Sequence, residues 1–253
     1  MNGERALSGR RVLVTGGASR IGRAVTQRLW GEGALITVVD RDANGVTAVA
    51  SELPGTLAIA ADVARGSEIA VAVARAEEHW NGLDAVVAAA GIQLIGQDAP
   101  VDQLDQDVWH TTIATNLTGT YLACKYAVAA LKRAGGGSFV LIGSPTGMRG
   151  TGFEYHAYTA SKAGVMGLGR AMAVAYAAAG IRVNLVVPGF TRTPLVERIV
   201  ADSSARNATL ARVPMGRLGR PEEIASVVSF LISDEGSFVT GATWTVDGGE
   251  TAL

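Results

Sequence analysis

Short apolar runs alternate along the chain with longer segments whose apolar positions recur every three or four residues. The short runs are rich in β-branched residues and predict strands in RRVLVTG, ALITVVD, TLAIAADV, GLDAVVAAAG, GGGSFVLIGS, GIRVNLVVPG and ATWTVDGG. The helical spacing follows most of them, at 21–29, 69–80, around 116, at 121–132, 158–179 and 221–232. Strands that are apolar on both faces and alternate with helices are typical of a parallel sheet covered on both sides.

Right-handed crossovers between such strands produce a doubly wound α/β sheet of the nucleotide-binding type. We therefore predict about seven parallel strands with helices on both faces. No proline-rich linker, low-complexity segment or internal repeat divides the 253 residues. The prediction is one domain over 1–253 that both binds a dinucleotide and carries the catalytic residues.

Composition excludes several function classes. The net charge is −1 and the basic residues are scattered, so neither nucleic acid nor an anionic membrane surface is an expected partner. Apolar stretches end before the ~18 residues that a membrane span needs, and the first residues lack the apolar core of a signal peptide. Cys124 is the single cysteine, which rules out an internal disulfide and fits a reducing compartment. A cytoplasmic location is expected.

A glycine-rich turn joins the first strand to its helix in VLVTGGASRIGRAV. Gly16 can form the tight turn, Gly22 permits close packing of helix and strand, and the helix N-terminus offers N–H groups to a pyrophosphate. The spacing is not G-x-G-x-x-G, so an ordinary βα turn remains an alternative. Asp40 ends the second strand, where a carboxylate accepts hydrogen bonds from ribose hydroxyls and repels a 2′-phosphate. The glycine turn and Asp40 together favour NAD over NADP, although Arg20 or Arg41 could reach a 2′-phosphate.

The segment YTASK places Tyr158 and Lys162 four residues apart on one helix face. An ammonium beside a phenol stabilises the phenolate, which can take a proton from an alcohol while hydride leaves its carbon. Ser144 follows the fifth strand, at the sheet edge that lines the ligand crevice, and can hold the substrate oxygen. YLACK repeats the spacing at Tyr121 and Lys125, but no strand-end serine precedes it. We predict chemistry for the first pair and helix packing for the second.

From Arg10 to Gly249 the sequence resembles the classical short-chain dehydrogenase/reductase family. The resemblance rests on TGGASRIG, Asp62-Val63, AAAG at 88–91, Asn116, Ser144, YTASK, GIRVN, Pro188-Gly189, GRLGRPEEIA at 216–225 and VDGG at 246–249. It implies a Rossmann-type fold, a homotetramer or homodimer, and a catalytic tetrad of Asn116, Ser144, Tyr158 and Lys162. In that family the lysine lowers the pKa of the tyrosine and binds the nicotinamide ribose, while the asparagine helps to hold a water. Arginine at position 20 is a departure, because the family usually has glycine there.

The resemblance and the nucleotide turn together assign cofactor contacts to Gly16, Ser19, Arg20, Ile21, Gly22, Asp40, Arg41, Asp62, Val63, Ala89, Ala90, Gly91, Tyr158, Lys162, Pro188, Gly189, Thr191 and Thr193. Substrate contacts are expected from Gln93, Ser144, Arg149 and His156, under a mobile lid at 195–215. No metal site is predicted. The leading hypothesis is an NAD-dependent enzyme that interconverts a small-molecule secondary alcohol, such as a polyol or sugar, and its ketone. The alternatives are an NADPH-dependent 3-oxoacyl or other keto reductase and, less favoured because the tetrad is complete, a non-catalytic nucleotide sensor.

Overall fold

The fold is seen in a computed structural model that describes residues 6–150, 154–193, 196–197 and 201–253. Its strands are β1 (Arg11–Thr15), β2 (Leu35–Asp40), β3 (Leu57–Ala60), β4 (Ala85–Ala88), β5 (Gly137–Ile142), β6 (Ile181–Pro188) and β7 (Thr243–Val246). They pair in the order β3-β2-β1-β4-β5-β6-β7, and every pair is parallel. The predicted doubly wound sheet is therefore confirmed.

The helices cover both faces of this sheet. They are α1 (Arg20–Gly31), α2 (Ala43–Glu52), α3 (Gly66–Trp80), α4 (Gln106–Ile113), α5 (Gly119–Arg133), α6 (His156–Tyr176), α7 (Ser203–Ala211) and α8 (Pro221–Ile232). Short 3-10 turns occur at Pro145–Gly147, Ala177–Ala179, Asp234–Gly236 and Glu250–Ala252. Within the described residues, no helix combines the length and the apolar character needed to cross a membrane.

Successive strand residues supply the two cores on opposite faces of the sheet. In β1, Leu13 is buried with α3 and α5, whereas Val12 and Val14 are buried with α1 and α8. The same alternation holds in β5, where Phe139 and Val140 enter opposite cores. Consecutive residues of a central strand are thus both apolar, because the pleat directs their side chains to opposite faces of the sheet and both faces are buried.

The chain between 106 and 133 differs from the prediction of two separate helices. A π-helical turn, Ala114–Thr118, joins α4 to α5 without a break and contains the buried Asn116. Gly119 does not interrupt the helix, since its backbone is helical at φ −61°. A Cβ there would lie 2.7 Å from Cγ2 of Val63, so this glycine serves close packing.

The strand order reverses between β1 and β4, which lie side by side at the centre of the sheet. One series of crossovers runs from β1 to β3 and the other from β4 to β7. The loops at the carboxyl ends of β1 and β4 therefore diverge and leave a crevice, the usual ligand position in open α/β sheets.

Candidate active site

A continuous cavity of about 530 Å³ lies along the carboxyl ends of the strands. Its volume is within the range of small-molecule and cofactor sites. Every residue predicted to contact the cofactor lines it, from Gly16 and Asp40 at one end to Tyr158 and Lys162 at the other. The structure therefore brings the two predicted ends of the site into one space.

The glycine turn after β1 is packed too closely for side chains. Gly16 has a left-handed φ of +67°, and a Cβ there would lie 2.7 Å from Cα of Ala90. A Cβ on Gly22 would overlap the carbonyl oxygen of Gly16. These two glycines allow the backbone after β1, the wall after β4 and the start of α1 to approach one another.

The N-terminus of α1 opens into the cavity. Ser19 is its N-cap, in extended conformation, and makes no side-chain capping bond. Arg20, Ile21 and Gly22 form the first turn and all line the cavity, so that turn offers N–H groups without intrahelical partners to an anion. Arg20 has a φ of +53°. This left-handed conformation is unfavourable for residues other than glycine.

Two carboxylates are held at the nucleotide end by backbone donors. Oδ2 of Asp40 accepts a hydrogen bond from the N–H of Ala18 at 3.3 Å, and its Oδ1 accepts one from Asp42 at 3.2 Å. Oδ1 of Asp62 accepts one from the N–H of Ala64 at 2.9 Å. Both carboxylates therefore have fixed orientations on the cavity wall, next to the exposed Arg41 and to Val63.

Lys162 lies one turn after Tyr158 in α6 and is 5% exposed. Its Nζ is 5.8 Å from the centroid of the Tyr158 ring and donates a hydrogen bond to the carbonyl oxygen of Ile142 at 2.9 Å. Burial disfavours the ammonium and lowers the pKa of Lys162 to about 8. Both the protonated and the neutral form of the Lys162 amine are thus populated at pH values near 8.

The Tyr158 phenol and the Ser144 hydroxyl are neighbours on the wall of the cavity. Burial raises the pKa of Tyr158, whereas the Ser144 hydroxyl and the positive charge of Arg20 act in the opposite direction. The Oγ of Ser144 caps the Pro145–Gly147 turn by accepting hydrogen bonds from the N–H and hydroxyl of Thr146, at 3.4 and 3.1 Å. These bonds fix the serine oxygen beside the phenol.

Asn116 is buried behind the cavity wall and is not among its described lining residues. Its Oδ1 accepts a hydrogen bond from the N–H of Ile92 at 2.8 Å, and its Nδ2 donates to the carbonyl oxygen of Ile92 at 2.9 Å. The same Nδ2 donates to Oγ of Ser161 at 3.0 Å, and that hydroxyl donates to the carbonyl of Tyr158 at 2.7 Å. Asn116 therefore ties the loop after β4 to α6.

The predicted substrate residues divide into two groups. Gln93 and Ser144 line the cavity, but Arg149 and His156 do not belong to its described lining. Nη1 of Arg149 donates to the carbonyl of Leu253 at 3.0 Å, because the loop after β5 packs against the C-terminal turn. Nη2 of Arg149 also lies 3.8 Å from Oε1 of Glu250, which lines the cavity. A substrate role for any of the four residues stays a prediction.

The predicted lid at 195–215 is described only in part. Residues 195 and 198–200 lie outside the described residues, while α7 supplies Thr209 to the cavity and Val196 also lines it. A lid that moves stays a prediction. Sequence reasoning missed Arg212 and Glu250, which line the cavity and pair with 2.9 Å between Nη2 and Oε1. No local motif could reveal a pair 38 residues apart.

The second Tyr–Lys pair lies on the outer face of α5. Tyr121 is 44% exposed, Lys125 is exposed, and neither is among the described lining residues of the cavity. Nζ of Lys125 is 5.8 Å from the Tyr121 ring and 5.5 Å from the Tyr126 ring. The choice of Tyr158 and Lys162 for the chemistry stays a prediction. In the described part of the chain, no three or more His, Cys, Asp or Glu residues are grouped as metal ligands.

Comparison with known proteins gives concordant matches over almost the whole chain. A family model described as enoyl-(acyl carrier protein) reductase matches residues 16–251. A cis-4-hydroxycyclohexanecarboxylate dehydrogenase of Sinomonas cyclohexanicum is 42% identical, over 98% of this chain and 99% of the relative. A 3-oxoacyl-[acyl-carrier-protein] reductase of Thermotoga maritima is 35% identical, over 96% and 98%. The structure of a short-chain type dehydrogenase/reductase from Mycobacterium ulcerans has a TM-score of 0.93 and 32% identity, covering 98% of this chain and 91% of that one.

Proposed function

The chain belongs to the short-chain dehydrogenase/reductase family, and we propose that it is an NAD-dependent enzyme that interconverts a secondary alcohol and its ketone. Family membership makes it an oxidoreductase that uses a nicotinamide cofactor. The observation that carries the finer proposal is the continuity of the cavity between Asp40 and the Tyr158–Lys162 pair. A dinucleotide that enters at Asp40 can reach the phenol with its nicotinamide.

The residues of the nucleotide end fit NAD. The unpartnered N–H groups of the first turn of α1 and the cation of Arg20 suit a pyrophosphate, and the Gly16 turn leaves no side chain in its way. Asp40 would accept hydrogen bonds from the adenosine ribose, and its charge would repel a 2′-phosphate. The family resemblance assigns three further contacts. Asp62 and Val63 would contact adenine, and the Ala89–Gly91 wall would contact the nicotinamide ribose. The loop of Pro188, Gly189, Thr191 and Thr193 would orient the carboxamide.

In the proposed reaction, Tyr158 accepts the proton of the substrate hydroxyl as the carbinol carbon loses hydride, so the alcohol becomes a ketone. The bound oxidised nicotinamide supplies the hydride acceptor. Ser144 donates a hydrogen bond to the substrate oxygen, and the Lys162 ammonium favours the phenolate form of Tyr158. Asn116 holds the loop after β4 and the first turns of α6 in register through Ile92 and Ser161.

The substrate end of the cavity combines apolar surface, polar groups and the ion pair of Arg212 with Glu250, which suits a compact substrate with few polar groups. Ile92, Phe190 and Val196 add apolar surface, while Gln93 and Thr209 add polar groups. The similarity to a dehydrogenase of a hydroxycyclohexanecarboxylate makes a secondary alcohol on a small ring the first class to test. A polyol or sugar is the next class.

A panel of alicyclic alcohols, polyols and the corresponding ketones, assayed by nicotinamide absorbance with NAD and with NADP, tests this function. We expect higher kcat/KM with NAD and with ring alcohols. Exclusive activity with NADPH on 3-oxoacyl thioesters would instead favour the keto reductase alternative, which the similarity to a 3-oxoacyl reductase keeps open.

The Asp40→Asn variant tests the cofactor assignment, since it removes the charge and keeps the size. The ratio of kcat/KM for NAD to that for NADP should fall by about tenfold or more, because the repulsion of the 2′-phosphate is lost. Asp42→Asn is the matched control, since Asp42 is exposed and caps α2 through Asn44. An unchanged ratio in Asp40→Asn would contradict the assignment.

We also propose a homotetramer, or a homodimer, that buries the outer faces of α5 and α6. The exposed Val174 on α6 and Tyr121 on α5 give these faces apolar surface. Sedimentation of the protein at several concentrations tests the assembly.

A further inference from the structure

One buried carboxylate outside the predicted site is bound directly to the catalytic helix. Asp98 lies in the loop after β4 and is 4% exposed. Its Oδ2 accepts a hydrogen bond from the backbone N–H of Tyr158 at 2.9 Å, and its Oδ1 accepts one from Ala157 at 3.1 Å. The carboxylate therefore contacts the backbone of the proposed proton acceptor.

The first turn of α6 has no cap of its own. Its N-cap residue, Tyr155, makes no side-chain capping bond, and no acidic residue lies in the first turn. Helix N-termini need acceptors for their free N–H groups and are stabilised by negative charge. Asp98 provides both from a position 60 residues away from Tyr158 in sequence, so the turn that carries the phenol is fixed by a different loop.

The first part of that loop, residues 92–98, is held at both ends. Asn116 binds both backbone groups of Ile92. Asp98 binds α6 and also accepts a hydrogen bond from the N–H of Ala99 at 2.9 Å. Gln93 lies between the two anchors and lines the cavity. The substrate-facing loop and the first turn of α6 consequently form one connected unit.

We propose that Asp98 is a positioning residue, which holds the Tyr158 phenol in register with Ser144 and with the Gln93 side of the cavity. This inference rests on the proposed function, because it assumes that Tyr158 exchanges the proton. Without the carboxylate, the first turn of α6 and the Gln93 loop lose their shared anchor. Small displacements of a reacting group lower turnover more than they lower cofactor binding, since the nucleotide end is built from other elements.

The test compares Asp98→Ala, Asp98→Asn and the wild-type enzyme on a ring alcohol with NAD, well below each thermal midpoint. We expect kcat to fall by about tenfold or more in Asp98→Ala and by less in Asp98→Asn, which keeps one acceptor oxygen. The Kd for NADH, from fluorescence, should stay within about twofold in both variants, since no cofactor contact is removed.

Asp105→Ala is the matched control, because Asp105 caps α4 through the N–H of Asp107 at 2.7 Å and is exposed. It should lower the thermal midpoint, as cap removal does, and leave kcat within about twofold. A folded Asp98→Ala or Asp98→Asn enzyme with wild-type kcat would reduce Asp98 to a structural cap. Loss of turnover in Asp98→Ala together with full turnover in Tyr158→Phe would overturn the proposed function instead.

Discussion

Two Tyr–Lys pairs of the same spacing lie in this molecule, and their internal geometry is the same. Nζ of Lys162 is 5.8 Å from the Tyr158 ring, and Nζ of Lys125 is 5.8 Å from the Tyr121 ring. Their surroundings differ, because Lys162 is 5% exposed whereas Lys125 is exposed. The helix fixes the backbone spacing of the tyrosine and the lysine in each pair. The tertiary environment decides which chemistry that pair can support.

Burial is the variable that changes the chemistry. It lowers the pKa of Lys162 to about 8 and raises the pKa of Tyr158 against the opposing effects of Ser144 and Arg20. The two shifts move the pKa values of the amine and the phenol apart, from ordinary values of 10.5 and 10.0, so burial in the cofactor-free protein opposes both the ammonium and the phenolate. The pair at Tyr121 and Lys125 lies beside a second aromatic ring, that of Tyr126, and has no cavity against it.

The largest expected difference between the pairs is in turnover after loss of the phenol hydroxyl. Tyr158→Phe should lower kcat by about 10³-fold, because general acid–base catalysis contributes in this range. The measurement is steady-state oxidation of a ring alcohol with NAD, followed by NADH absorbance. Tyr121→Phe makes the same chemical change on α5 and should stay within about twofold. A collapse of turnover in folded Tyr121→Phe, with Tyr158→Phe active, would reverse the choice between the pairs.

Features written in consecutive residues could be predicted from the sequence. The alternating apolar runs specified the sheet, since each strand must be apolar on both faces. The position of Asp40 on the cavity wall could be predicted, because Asp40 is the last residue of β2 and strand ends meet at this edge of the sheet. The continuity of α4 with α5 was not, because Gly119 indicates a helix break until Val63 is seen to pack against it.

Pairings over long sequence separations account for the rest. Arg149 was expected at the substrate. It donates hydrogen bonds to carbonyl groups of the C-terminal turn, 101 and 104 residues away, and lies 3.8 Å from the Glu250 carboxylate. Asp98 and Glu250 carried no motif, since their roles exist only once distant segments are brought together. A sequence pattern indicates the local structure of residues that are close in the chain. These contacts depend instead on how loops far apart in the chain pack together over the sheet.

A smaller effect than loss of the phenol is expected from removal of the amine. Lys162→Met should lower kcat/KM by about 10²-fold, because the variant keeps the packing volume but loses the cation that favours the phenolate. Lys125→Met should remain within about twofold. The same absorbance assay, with saturating NAD, measures both. Equal losses in the two folded variants would show that burial does not distinguish the pairs.

The last expected difference is in stability, and its sign is opposite to that in activity. Lys162 is a buried base whose pKa is lowered to about 8 from an ordinary value of 10.5. Below pH 8 it is protonated in both the folded and the unfolded chain, so the cost of burying the charge is fully present. Lys162→Met should therefore raise the free energy of unfolding of the cofactor-free protein by roughly 3 kcal/mol at pH 7.

Between pH 8 and 10.5 the folded chain releases this proton before the unfolded chain does, so the stability of the wild-type protein rises relative to that of Lys162→Met. The advantage of the variant should accordingly shrink as the pH rises through this window. Urea unfolding of the wild-type protein and of Lys162→Met at pH 7, 8.5 and 10 measures the trend. A Lys162→Met protein that is less stable than wild type at pH 7 would mean that the ammonium stabilises the folded chain. The two Tyr–Lys pairs would then differ in function without the conflict between stability and activity that burial imposes here.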